Sequence, residues 1–187
     1  MKVLIVSGNP KTDGLCQSVI EAVMAGAGEA QASVEEIRLC DMQLVRCAVC
    51  NDGWGICREQ HICVYGNDGF EAVGDKIESA DAIVIATPVY WGEVTETLKC
   101  FLDRFRRCNF GISGRISAKQ VLLIASAGGS GNGIVSCLKQ LESFCQHTGA
   151  VVFDFIAVNR WNSDYKRVAA YEAAKALADG RKNGDTV

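Results

Sequence analysis

The sequence has little proline, no excess of charge of one sign, no long apolar run and neither of the common nucleotide signatures. Its charged residues nearly balance at a formal net charge of -3, which removes the footprint of a nucleic-acid binder or of a patch for anionic membranes. No stretch approaches the ~18 apolar residues that span a bilayer. The opening "MKVLIVSGNP" stops at a turn too early for the apolar region of a signal peptide, so a cytoplasmic protein is expected. There is no G-x-x-x-x-G-K-[ST], and no G-x-G-x-x-G follows the first apolar run. Repeats, low-complexity tracts and linkers are also missing. With 187 residues, 49% of them apolar, the chain fits a single α/β domain over 1–187.

Four runs have strand length and turn punctuation: 2–6, 81–87, 119–126 and 150–158, with a weaker alternating run at 32–39. Continuous β-branched stretches such as Ile83, Val84 and Ile85 indicate strands covered on both faces, as in a parallel sheet. Helical stripes lie between them. Leu15, Val19, Ile20, Val23, Met24 and Ala27 form one. Val94, Leu98, Phe101, Leu102 and Phe105 form another, and Ile134, Leu138, Leu141 and Cys145 a third. A weaker helix is expected at 69–80 and a last one at 164–179. Right-handed crossovers turn this βα alternation into a doubly wound, five-stranded parallel sheet.

In such sheets ligands sit beyond the carboxyl ends of the strands. Three loops emerge there. "SGNPKTDGLC" (7–16) joins a strand to a helix and suits a phosphate through backbone N–H groups. "TPVYWGEV" (87–94) sets Tyr90 and Trp91 beside Pro88 and Gly92, either along a flat ring or at a subunit contact. "SAGGSGNGI" (126–134) lets a ligand edge approach backbone. Each alone is also readable as an ordinary turn. The only two prolines, Pro10 and Pro88, fall in these loops. Together they describe a site for flavin mononucleotide (FMN), with small-molecule electron donors and acceptors as partners.

"SGNPKTDGLC", "TPVYWGEVTETLKCFLDR" and "SAGGSGNG" resemble the three FMN-binding segments of the flavodoxin-like NAD(P)H-dependent FMN reductase family. The second segment, with Lys99, Asp103 and Arg104, is the most specific. The resemblance implies sheet order 2-1-3-4-5, NADH or NADPH as reductant, and a homodimer or homotetramer with Tyr90 and Trp91 near subunit contacts. It implies Asn9, Lys11, Leu15 and Cys16 around the phosphate. It places Pro88, Val89, Tyr90, Trp91 and Gly92 along the isoalloxazine, with Ala127, Gly128 and Gly129 at its other edge. Asn9 stands for the usual Ser and Cys16 for the usual Thr, so weaker FMN binding is expected. The flavin carries the chemistry, and no side chain is assigned as a general acid or base.

About 30 residues separate the second strand from the next helix, where a few would suffice. Ten cysteines in a reducing compartment argue against a disulfide framework, and a compact group of four, Cys47, Cys50, Cys57 and Cys63, lies within this insertion of about 40–68. The family's iron-sulfur flavoprotein branch carries a compact cysteine motif at this place, usually Cys-x2-Cys-x2-Cys and then Cys after four to seven residues. Cys47 and Cys50 match. Cys57 follows Cys50 after six intervening residues, which departs from the motif. Three readings stand: a 4Fe-4S cluster, a zinc site with His61 replacing one sulfur, or free thiols. A module reduced by ferredoxin without pyridine nucleotide is the alternative from another class. Cys100, Cys137 and Cys145 are expected to be small buried residues, with Cys40 and Cys108 near element ends. His147, close to a helix C-terminus, is expected to be a surface or capping residue. "RFRR" at 104–107 reads as a solvated helix face, or as a contact to a cofactor phosphate or a neighbouring subunit.

Overall fold

A computed structural model of the chain describes residues 1–180. The elements follow one another as β1 (Lys2–Ser7), α1 (Gly14–Glu29), β2 (Ser33–Arg38), α2 (Phe70–Ser79), β3 (Ala82–Pro88), α3 (Glu96–Cys108), β4 (Gln120–Ala127), α4 (Ile134–Thr148), β5 (Val151–Asn159) and α5 (Ser163–Ala178). All strand pairs are parallel, in the order β2-β1-β3-β4-β5. The doubly wound reading and its strand order therefore hold. Every predicted element is present, with ends displaced by a residue or two. Val94 lies outside the helix it was expected to begin, because Thr95 is its N-cap residue.

The central strands explain themselves. Val3 to Val6, Ile83 to Ile85 and Val121 to Ile124 are all at most 3% exposed, since helices cover both faces of the sheet. One core layer packs α2, α3 and α4 on the sheet through Phe70, Phe101, Phe105 and Phe144. The other packs α1 and α5 through Val19, Ile20, Val23, Ala170 and Ala174. Met24, expected on the buried stripe of α1, is exposed instead; it sits at the edge of the arc formed by the buried Cys16, Val19, Ile20, Val23 and Ala27. Among the described residues, no helix is long and apolar enough to cross a membrane.

The cysteines divide by burial. Cys16, Cys108, Cys137 and Cys145 are buried, and burial is the main cause that pushes each thiol up to about 12. Cys100 is only half-buried, a correction to its expected place in the core: its thiol donates to the Val45 carbonyl at 3.4 Å. Thiolate is the reactive form. In metal-free native protein at pH 8, a thiol reagent is expected to label cysteines of the 40–63 segment and to spare these four buried ones until denaturant is added. Peptide mapping of the label checks this; fast labelling of Cys137 or Cys145 would contradict the packing.

Candidate functional site: three loops and a stapled cysteine segment

The carboxyl ends of β1, β3 and β4 lie side by side, with Ser7 opposite Ala86 and Pro88 opposite Ser126, so the three loops leave the sheet together. The Gly8 N–H donates to Ala86 O at 2.9 Å, and the Thr95 hydroxyl donates to Gly8 O at 2.9 Å. These bonds tie the first loop to the second. The second and third loops touch at glycines: a Cβ on Gly133 would stand 2.5 Å from Gly92 Cα, and Gly133 has φ 82. No side chain fits there.

In the first loop Asn9 is buried. Its Oδ1 accepts the Lys11 N–H at 3.2 Å and its Nδ2 donates to Gln17, an Asx-type turn that shapes the loop. Lys11 is exposed, Leu15 half-buried and Cys16 buried. Asn9 and Cys16 thus spend their side chains on the fold and leave backbone N–H groups for an anion. The start of α1 suits one: Asp13 makes no side-chain cap and the first turn holds no acid, so its N–H groups lack side-chain partners. The buried Ser126 hydroxyl lies beside the Cys16 thiol, close to this open helix start.

The second loop is a tight hairpin. Tyr90 and Glu93 exchange both backbone hydrogen bonds at 2.9 and 3.0 Å, leaving Trp91 (φ 54) and Gly92 (φ 85) at the tip. Left-handed backbone is unusual for a bulky residue, and Trp91 is fully exposed at 103%. Tyr90 and Trp91 border a surface groove with Met42, Leu44 and Cys100, so the hairpin faces the start of the cysteine segment. Pro88 and Val89 are half-buried at the strand end, Ala127 is buried, and Gly128 and Gly129 are exposed.

Cys47, Cys50, Cys57 and Cys63 line one cavity, together with Cys108. Among the described residues no three metal-binding side chains are drawn together to ligand spacing. The donor set nonetheless suits a thiophilic centre: four thiols on one wall-enclosed space, next to the cations Arg104 and Arg107, which offset thiolate charge. His61 does not line this cavity; its Nδ1 is buried without a partner.

Arg104 overturns the expected solvated face of "RFRR". It is 2% exposed. Its Nη1 donates to Val45 O at 2.9 Å and Asp68 Oδ2 at 2.6 Å, and its Nη2 to Tyr65 O at 3.0 Å, Asp68 Oδ1 at 3.2 Å and Cys63 Sγ at 3.4 Å. The guanidinium also lies 4.2 Å from the Phe70 ring centroid. Asp68 in turn accepts the Val45 N–H at 2.7 Å. Burial alone would raise the Asp68 carboxyl, but the Arg104 bond and the N–H groups of Val45 and Phe70 outweigh it and hold it below its ordinary value. Val45 and Tyr65 flank the cysteine segment, so a single ion pair closes its neck. Higher up, Arg107 donates to Gly53 O and stacks 4.8 Å from Trp54, which packs on Phe110 at 5.1 Å. Glu71 Oε1 accepts the Cys63 N–H at 2.8 Å.

The helical wheel carried a signal for this: Arg104 shares a face with Phe101, Phe105 and Cys108. Asp68, Glu71 and Trp54 had no comparable signature. Cys137 and Cys145 are core residues as expected, and the exposed His147 sits in the last turn of α4, its Nδ1 2.6 Å from Ser143 O. The Lys99–Asp103 pair at 2.5 Å is exposed and adds little.

Residues 1–162 match the model of the NADPH-dependent FMN reductase family. The chain belongs to this family. Among curated relatives, an iron-sulfur flavoprotein of Methanosarcina thermophila is 32% identical over 136 residues, 71% of this chain and 66% of that protein, just under two thirds of its length. One of Archaeoglobus fulgidus, also named iron-sulfur flavoprotein, is 28% identical across 95% of this chain and 92% of its own. Among solved structures, an NAD(P)H:quinone oxidoreductase from Methanothermobacter marburgensis superposes with TM-score 0.75 at 18% identity, covering 95% of this chain and 96% of that one; at that identity it speaks to the fold. The family resemblance and its iron-sulfur flavoprotein branch agree with these matches. As an FMN reductase family member, the chain sits among flavin-dependent oxidoreductases.

Removing one partner of a buried ion pair costs about 3–5 kcal/mol. Arg104→Met is therefore expected to open residues 45–65 while leaving the sheet intact, because Leu98, Phe101 and Phe105 still anchor α3. Limited proteolysis with mass-spectrometric mapping should show new cleavage in that segment and unchanged far-UV circular dichroism. Equal protease resistance of variant and wild type would contradict the staple.

Proposed function

We propose that this protein is an FMN-dependent oxidoreductase in which electrons pass between a flavin held by the loops 7–16, 87–94 and 126–134 and an iron-sulfur cluster ligated by Cys47, Cys50, Cys57 and Cys63. The observation that carries this reading is α3. Its N-cap Thr95 closes the flavin hairpin against Gly8, and two turns later Arg104 closes the cysteine segment. A single rigid helix thereby supports both candidate redox sites.

The division of labour follows from the residues. The start of α1 and the N–H groups around Lys11, Leu15 and Cys16 would bind the phosphate. Pro88, Val89, Tyr90, Trp91 and Gly92 would set the ring, with Ala127, Gly128 and Gly129 at its edge. FMN supplies one- and two-electron chemistry when bound, and a cysteine-ligated cluster supplies one-electron transfer. Cys47, Cys50, Cys57 and Cys63 would hold that cluster, while Arg104 and Arg107 offset its charge and the segment 47–63 shields it from water. NADH or NADPH as donor, a ferredoxin as alternative donor or acceptor, a homodimer or homotetramer with Trp91 at the contact, and a cytoplasmic setting belong to the same proposal. A cluster-free NAD(P)H-dependent FMN or quinone reductase, its cysteines free or on zinc, is the competing reading.

Anaerobic purification followed by assay of FMN, iron, zinc and acid-labile sulfide is expected to give flavin with about four irons per chain, the count of a four-cysteine cubane. Flavin without iron or sulfide, bleached rapidly by NADPH or NADH, would establish the competing reading. Chelation of the iron is expected to raise protease sensitivity within 40–68; unchanged sensitivity after stripping would count against any metal on these thiols.

A further inference from the structure

Arg104 does more than close the neck, because one of its donors points at sulfur. Nη2 lies 3.4 Å from Cys63 Sγ while the same nitrogen bonds Tyr65 O at 3.0 Å and Asp68 Oδ1 at 3.2 Å. Both terminal nitrogens are fixed, by the carboxylate and by two backbone carbonyls, and one face by the Phe70 ring, while the buried Nε has no hydrogen-bond partner. At 1% side-chain exposure its charge is little screened by water. Asp68, with a side chain 9% exposed, is the nearest countercharge. Other charges reach the area from farther round: Arg107 on the cavity wall, and Glu71, bonded to the Cys63 N–H and paired with Arg115.

We propose that Arg104 is a positioning residue for the cysteine site, which through its bond to the Cys63 sulfur, balanced by Asp68, sets the reduction potential of the centre those thiols hold. This rests on the cluster reading above. Hydrogen bonds and positive charge at the sulfurs stabilise the more negative, reduced state of an iron-sulfur centre and raise its potential; a nearby carboxylate does the opposite. The two members of one ion pair then act on the potential with opposite signs. A purely mechanical staple makes a different forecast: loosening either member opens the same loop and moves the potential in one direction.

The test uses the full chain, reconstituted anaerobically with ferrous iron and sulfide, in wild type, Arg104→Lys and Asp68→Asn. Lysine keeps the charge and cannot reach the sulfur, Tyr65 and Val45 together; asparagine keeps an acceptor for the guanidinium and removes the anion. Redox titration followed by electron paramagnetic resonance is expected to place Arg104→Lys below wild type and Asp68→Asn above it, at equal iron content. Potentials unchanged, or shifted the same way in both variants, would overturn the inference while the cluster reading stands. Loss of iron from either variant alone would reduce the pair to a staple and overturn it as well. A wild-type protein that takes up no iron would overturn the cluster reading, and this inference with it.

Discussion

A buried guanidinium is costly unless it is paired and hydrogen-bonded, and the terminal nitrogens of Arg104 are answered by Asp68, two backbone carbonyls and a thiol, with an aromatic face beside them; only Nε stays without a partner. The rest of the cysteine segment depends on that solution. Between Val45 and Tyr65 the chain carries four cysteines and two glycines, with no helix or strand of its own. Such a loop has too little apolar surface to offset the entropy of ordering it. It is ordered because α3 lends it a face: Arg104 at the neck, Arg107 against Gly53 and Trp54, and Cys108 inside the cavity.

The same helix begins beside the Tyr90–Glu93 hairpin, and this links the loops at the strand ends to the cysteine segment. Thr95 is at once the N-cap residue of α3, the hydroxyl donor to Gly8 O and, through its N–H, a donor to the Thr87 hydroxyl at 3.2 Å. Displacing α3 would disturb the loop 7–16, the hairpin at Tyr90–Glu93 and the cysteine cavity together. In the proposed reading, this shared support holds two redox groups on one small sheet. The Trp91 hairpin and the start of the cysteine segment also border a common groove.

The sheet was legible in the sequence because period, run length and crossover handedness leave few alternatives: Ile83 to Ile85 can hardly be anything but a strand covered on both faces. The three loops were legible because they stand at strand ends in order. Which side chains in them turn inward was not, since Asn9 and Cys16 look the same in sequence whether they bind a ligand or shape a turn. Arg104 was misread for a related reason. An arginine in a run of basic residues belongs on a solvated face unless another segment covers it, and here the covering segment is an irregular loop whose path no local pattern encodes. Asp68, within a short turn at Gly66–Asp68, is recognisable as its partner only once the fold brings the two together.

In the proposed reading, the segment from Cys47 to Cys63 closes around a redox metal centre beside α3. Anomalous diffraction at the iron absorption edge, from crystals of anaerobically purified protein, tests it most directly. The account predicts one compact iron peak per chain in the cavity lined by those four cysteines, next to Arg104. An empty cavity, or a peak that follows the zinc edge instead, would contradict it.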